Sequence, residues 1–387
     1  MDKLYYLVLY LLGLKSNELV FIMEHIPKSD IKKILLAEGL EIQYKYSIDL
    51  SKYAQKLTDK KFIEELFKKA EEIINKSKEL DIKIIPITSK YYPNILKEIK
   101  DPPAILYIKG KNITLRDEKS VGCVGARMAT EFGVNATKGI VQALSNEKFT
   151  IVSGLATGID GESHKACLRQ NGRTIAVLAH GLDMIYPKEN TELSDEIINK
   201  GGTLVSEYPV GTSPDKFRFV QRNRIIAGLS RGVIIFESKE KSGSMHTVNF
   251  SLENNRKVFC PLPSKRVVNV MGLINLIESK KAIPLGCKND YKIVVKELGY
   301  KLNPKLEQSN SIKNDSLKHI NKFYVQDPNL ISNIKNMNYN NYSSIKTNKD
   351  IFIQFKKILK ENDLSVKEFF NGVILSIVRN YTRGDKK

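Results

Sequence analysis

Between Val121 and Ser244 the chain repeats one arrangement: a short apolar run stops at glycine or serine, then restarts with helical spacing. The instances are Val121-Gly-Cys-Val-Gly-Ala-Arg127, Thr150-Ile-Val-Ser-Gly-Leu-Ala-Thr-Gly-Ile-Asp160, and Gly232-Val-Ile-Ile-Phe-Glu237 followed by Lys241-Ser-Gly-Ser-Met245. A strand that ends this way leaves the first N–H groups of the next helix, and the positive end of its dipole, facing outward. Glycine lets an anion such as phosphate approach that backbone. On neighbouring parallel strands, such turns form one anion-binding edge at the carboxyl ends of a sheet. The phosphate would belong either to a nucleotide or to a nucleic-acid backbone.

Charge bears on that choice. The 62 Lys+Arg against 43 Asp+Glu give a net charge of +19, which favours a polyanionic partner through counterion release. A lysine-rich proteome would raise the charge as well. The four cysteines, Cys123, Cys167, Cys260 and Cys287, are widely spaced, with no CxxC and no Cys/His cluster. Neither a zinc site nor a disulfide framework is expected, and reduced thiols suit a cytoplasmic protein. The apolar residues 4–13 are too few to cross a bilayer and lack a small-residue cleavage site, so they predict a buried first helix. No membrane association is expected.

At 387 residues the chain is expected to form more than one domain. Three- and four-residue apolar spacing predicts helices over 4–14, 16–25, 29–37 and 59–80, a small helical domain over residues 1–80. From residue 81 to 303, strands are predicted at 82–87, 104–109, 120–124, 150–152, 174–178, 203–206, 232–237 and 257–261. Helices are predicted at 131–145, 161–171, 192–200, 223–229 and 245–254. This alternation implies an α/β fold with a parallel sheet covered by helices on both faces. Residues 304–349 are rich in Asn, Ser and Lys and have the composition of a disordered linker. Helical spacing returns over 350–387 as a small C-terminal module.

Several residues at the predicted edge carry chemistry. Gly125 permits close approach, and Arg127 stands where its planar fork would grip a phosphate. Ser153, Gly154 and Thr157 offer hydroxyls and amides in the second turn, and Asp160 would hold that loop in shape. His164, alone on a helix, reads as a packed residue. Lys216-Phe-Arg-Phe-Val-Gln-Arg-Asn-Arg224 places Lys216, Arg218, Arg222 and Arg224 among Phe217 and Phe219 ahead of an apolar helix. Cations that track phosphates beside an aromatic that stacks a base suit a single strand. Alternatively, Arg222 and Arg224 form ion pairs with residues such as Glu207 or Glu237, and the two phenylalanines are core. Ser242, Gly243 and Ser244, with Thr247, repeat the anion geometry at a helix start. The chain has no dinucleotide fingerprint, Walker A loop, HExxH helix or Ser-His-Asp set. No cofactor, metal or catalytic residue is expected.

The ordered set of Gly125-Ala-Arg127, Ser153-Gly-Leu-Ala-Thr-Gly-Ile-Asp160, Gly181-Leu-Asp-Met-Ile-Tyr-Pro187 with Asn190, Ser206-Glu-Tyr-Pro209, Phe219 with Arg222-Asn-Arg-Ile-Ile-Ala-Gly-Leu-Ser230, and Ser242-Gly-Ser244 with Thr247 resembles the DNA-processing protein A (DprA/Smf) family. Asp101-Pro-Pro-Ala-Ile-Leu-Tyr107 fits as well, and the resemblance covers about residues 80–290. It implies an extended Rossmann-like fold, flanked by helical domains, of which the N-terminal one is similar to a sterile-alpha-motif domain. It also implies a non-catalytic homodimer that binds and protects single-stranded DNA without a cofactor and loads the recombinase RecA during natural transformation. Carried over, Arg127 and Lys216 would contact phosphates, Phe219 would lie against a base, and Ser153, Gly154, Ser242, Gly243 and Ser244 would line the pocket. The chain departs from the family pattern at Val220, Gln221, Leu262 and the residues after Thr247, and its tail does not read as a winged helix. Two other classes accommodate the same turns: a Rossmann-like nucleotide-processing enzyme using Glu207 or Glu237, and a binding protein for a small nucleotide.

Overall fold

The computed structural model describes residues 2–35, 39–264 and 266–304. The proposed linker and the C-terminal helical module fall outside these residues. Met1–Pro284 forms one compact unit, and a second begins at Leu285.

The first unit opens with six helices: α1 (Asp2–Leu12), α2 (Ser16–His25), α3 (Lys28–Leu35), α4 (Gly39–Tyr46), α5 (Ala54–Thr58) and α6 (Lys60–Glu79). In α1 the residues Tyr6–Leu9 and Leu12 are buried, so the apolar N-terminal run is core. The side chain of Asp59 caps α6, accepting from the Phe62 N–H at 3.0 Å. Its buried stripe of Ile63, Leu66 and Ala70 has helical spacing, and α6 packs on α1. The short α4 and α5 are not marked in the sequence, because they lack a sustained apolar period.

The remaining elements are β1 (Ile82–Pro86), α7 (Asn94–Lys97), β2 (Ile105–Gly110), β3 (Ser120–Val124), α8 (Glu131–Asn146), β4 (Thr150–Ser153), α9 (Ile159–Leu168), β5 (Thr174–Leu178), α10 (Thr191–Asn199), β6 (Thr203–Ser206), α11 (Lys216–Gly228), β7 (Gly232–Ile235), α12 (Ser244–Glu253), β8 (Lys257–Pro261) and α13 (Met271–Glu278). The strands of this unit lie in the order β1-β2-β6-β5-β4-β3-β7-β8. From β6 to β8 the pairing is parallel. Every residue of β3 to β7 is buried, which accounts for their unbroken apolar runs.

The expected α/β architecture is present, with one addition. β2 runs antiparallel to both β1 and β6, so the sheet is mixed rather than wholly parallel. The order also fixes the switch point. From β3 the chain proceeds outward through β4, β5 and β6, then returns to place β7 on the other flank of β3. The turns after β3 and β7 therefore open side by side, the position at which such sheets take ligands.

Candidate nucleic-acid interface

The turns after β3 and β4 are built as one piece. The Ile159 N–H donates to the Ala126 carbonyl at 3.1 Å. Gly158 has φ +74°, and a Cβ there would lie 2.3 Å from the Ala126 oxygen and 2.4 Å from the Arg127 oxygen. Only glycine allows this contact. The buried Ser153 hydroxyl donates to the Cys123 carbonyl at 2.6 Å. The Asp160 carboxylate accepts from the backbone N–H groups of Ala156 and Gly154 and holds the loop closed. Thr157 at the tip is exposed.

Arg222 lies beneath this loop. It is buried, and Nη1 donates to the carbonyls of Gly154, at 2.7 Å, and of Val177. A Cβ on Gly154 would lie 2.5 Å from both guanidinium nitrogens, so the glycine makes room for the arginine. Burial pushes the Arg222 pKa down to about 10, partly offset by Asp160. Burial raises that of Asp160, opposed by Arg222. Backbone hydrogen bonds hold both groups in place: Arg222 donates to the Gly154 and Val177 carbonyls, and Asp160 accepts from Ala156 and Gly154.

Arg224 faces the other side of α11. It grips Glu207 with two bonds, at 3.0 and 2.6 Å, and Nε donates to Asp101 at 2.9 Å. Burial lowers its pKa, but the two carboxylates outweigh this and leave it raised. The ion-pair alternative for this arginine therefore describes its contacts. Glu237 is not its partner: that buried carboxylate accepts from the Thr130 N–H and hydroxyl, each at 2.9 Å, tying the β7 end to the start of α8.

The segment 216–224 lies within α11 instead of preceding a helix. Asp215 caps it, accepting from the Phe217 N–H at 2.8 Å, so the helix begins seven residues before the apolar spacing suggests. Lys216 is exposed in the first turn. Phe219 is half-buried, with the exposed Arg127 guanidinium 5.4 Å from its ring centre on the β3 side and that of Arg222 at 6.0 Å. Tyr186, 47% exposed, meets the same ring at 5.7 Å and an interplanar angle of 51°. The sequence motif contained Tyr186 but gave it no role; only the fold of the β5–α10 loop carries it to Phe219.

On the β7 flank, three hydroxyls cluster at the start of α12. Ser242 is 2.6 Å from Ser238 and 2.7 Å from Ser244. The Asn223 amide on α11 donates to the Gly243 carbonyl at 3.2 Å. Ser238 and Asn223 are supports that sequence reading did not single out. Gly243 is exposed, and a Cβ there would meet nothing within 4 Å. His164 is buried on Thr174, 2.7 Å away, well inside the edge.

Thr157, Arg127, Lys216, Ser242, Gly243 and Ser244 thus sit on loops and helix starts at one end of the sheet with polar groups accessible or half-accessible. Gly125, Ser153, Gly154, Arg222 and Arg224 form the packed frame behind them. Among the described residues, no group of three or more His, Cys, Asp or Glu side chains could hold a metal, and no helix is long and apolar enough to cross a membrane.

A mostly parallel sheet with glycine-rich turns meeting at its switch point, and with arginine and aromatic side chains accessible there, defines a Rossmann-like domain with an anion-binding edge. The family model for DNA recombination-mediator protein A matches residues 83–295, and the chain belongs to that family, the DprA/Smf proteins. It is 45% identical over 197 residues to the DNA processing protein DprA of Bacillus subtilis, covering 51% of this chain and 66% of that protein. It is 40% identical over 176 residues to the protein Smf of Escherichia coli, covering 46% and 47% of the two chains. The match spans 48–66% of the length of the relatives in B. subtilis, Synechocystis and Streptococcus pneumoniae. Among solved structures, DprA of S. pneumoniae superposes with a TM-score of 0.59 at 31% identity, over 77% of this chain and 99% of that one. DNA processing protein A of Helicobacter pylori, described for its unique single-stranded DNA binding mode, superposes with a TM-score of 0.50 at 28% identity, over 56% and 97%.

Proposed function

We propose that this chain binds single-stranded DNA along the carboxyl edge of its sheet and, as a homodimer in the cytoplasm, protects the strand and delivers it to the recombinase RecA. It does so without a cofactor and without cleaving the strand. The observation that carries the reading is the exposed Arg127 held over Phe219, with Tyr186 against the same ring. A cation beside an aromatic, accessible between two helix starts, suits a phosphate followed by an unpaired base. Lys216 and Thr157 extend the surface to one side, Gly243 and Ser244 to the other. The net charge of +19 and the strand-binding relative from H. pylori support the same reading. Of the two carboxylates a nucleotide-processing enzyme would use, Glu207 is engaged by Arg224 and Glu237 is buried against Thr130.

The test is fluorescence anisotropy with labelled oligothymidine and matching duplex across a salt series. The expected result is tighter binding of the single strand, with affinity that falls steeply as salt rises. Recombinase delivery is then read as faster RecA filament assembly on strands coated by a single-strand-binding protein. Equal binding of both DNA forms, or mononucleotide turnover, would overturn the reading.

A further inference from the structure

α11 has two working faces. Phe219 and Arg222 look toward the anion edge. Phe217, Gln221 and Arg224, at positions i, i+4 and i+7, line a separate cavity of about 570 Å³ between α11 and the α1–α2 corner. Tyr10 and Leu14 of that corner and Tyr208 after β6 complete its apolar lining. Its floor is the Arg224 ion-pair cluster with Glu207 and Asp101. Two exposed cations flank it: Lys15 on the wall, and Lys216 on the first turn of α11 beside Phe217. Phe217 leaves 68% of its surface in water, whereas Phe219, two residues on, is half-buried.

We propose that this cavity is a second base pocket, taking an unpaired nucleobase of the same strand after it leaves the anion edge and crosses the start of α11 at Lys216. The proposal rests on the single-strand reading above. Tyr10, Tyr208 and Phe217 line it with aromatic surface; the Arg218 guanidinium lies 5.4 Å from the Tyr208 ring centre, and the open face of Phe217 supplies the stacking surface. The amide of Gln221 both donates and accepts, and Asp101 uses only Oδ2 toward Arg224, so the interior offers partners to the polar edge of any base. Flanking ammonium groups suit the phosphates on either side of that base. A nucleobase is the occupant that combines a flat apolar face, a polar edge and adjoining negative charge. The consequence is that the helical N-terminal region takes part in strand binding.

The full chain is titrated with labelled oligothymidine of about 20 nucleotides, with Phe217→Ala and Gln221→Trp as cavity variants and Arg127→Ala as the edge variant. Gln221→Trp fills the cavity without changing charge, and melting temperatures confirm that each variant folds. Both cavity variants are expected to lose at least about fivefold in affinity, the lower end for removing one base–aromatic stack. If wild type binds and Arg127→Ala weakens it while both cavity variants bind normally, the pocket is refuted and the edge reading stands. If cavity variants keep strand affinity but lose a protein partner, the pocket is a protein-docking site and the proposal falls. If wild type shows no salt-sensitive strand binding, the edge reading itself fails.

Discussion

Gly154→Ala separates a glycine needed for packing from one left open for a ligand. The new Cβ would lie 2.5 Å from Nη1 and Nη2 of Arg222 and 2.6 Å from Cζ. Those atoms end a long side chain, but they cannot swing away freely. The guanidinium is buried and bonded to the carbonyls of Gly154 and Val177. If it stays, overpacking costs about 1–3 kcal/mol. If it moves, charge-assisted hydrogen bonds worth about 1.5–3 kcal/mol each are lost. Moving would therefore cost more than staying, and the cheaper route sets a destabilisation of about 2 kcal/mol, or roughly 4–8 °C in melting temperature at about 2–4 °C per kcal/mol. Gly243→Ala is the control, because its Cβ meets nothing within 4 Å. Its stability should stay within about 1 kcal/mol of wild type, while strand affinity drops because the methyl group covers the approach to the start of α12. Thermal denaturation and anisotropy on both variants provide the readout. An unchanged melting temperature for Gly154→Ala, or an equal drop for Gly243→Ala, would refute the assignment of one to the frame and the other to the surface.

Three further outcomes are expected. Arg127→Ala should weaken strand binding by about 1–3 kcal/mol with an unchanged melting temperature, and Lys216→Ala should also flatten the salt dependence; titrations at several salt concentrations check both. Arg224→Ala should cost about 2–3 kcal/mol of stability, because it removes the charge-assisted hydrogen bonds to the half-buried Glu207; chemical denaturation measures this loss. His164 is buried and neutral, with its pKa pushed down to about 3 by burial and then by Arg222. The unfolded state takes up its proton near pH 6.5, so the His164 contribution is intact above that pH and is lost toward pH 3, at about 1.4 kcal/mol per pH unit. Asp160, whose pKa is raised by burial, acts in the opposite sense. Melting curves from pH 7 to 4 should therefore fall less steeply for His164→Asn than for wild type.

The sequence alone determined what depends on neighbours along the chain. Apolar runs that give way to turns rich in glycine and serine marked β3, β4 and β7, because strand propensity and glycine's conformational range are local properties. The ordered motifs were enough to identify the family. The side of α11 on which each arginine lies was decided by tertiary structure. Arg222 and Arg224 are two positions apart, so on a helix they project about 200° from one another. What each one meets comes from far along the chain: the Gly154 and Val177 carbonyls, 68 and 45 residues away, for Arg222, and Asp101 and Glu207, 123 and 17 residues away, for Arg224. The start of α11 was misplaced for a similar reason, since the Asp215 cap overrides the apolar period that begins at Asn223. Burial and ion pairing are long-range outcomes of sheet order, which the local pattern does not encode. They leave Arg127 at the surface over Phe219 and enclose two arginines that look alike in the sequence.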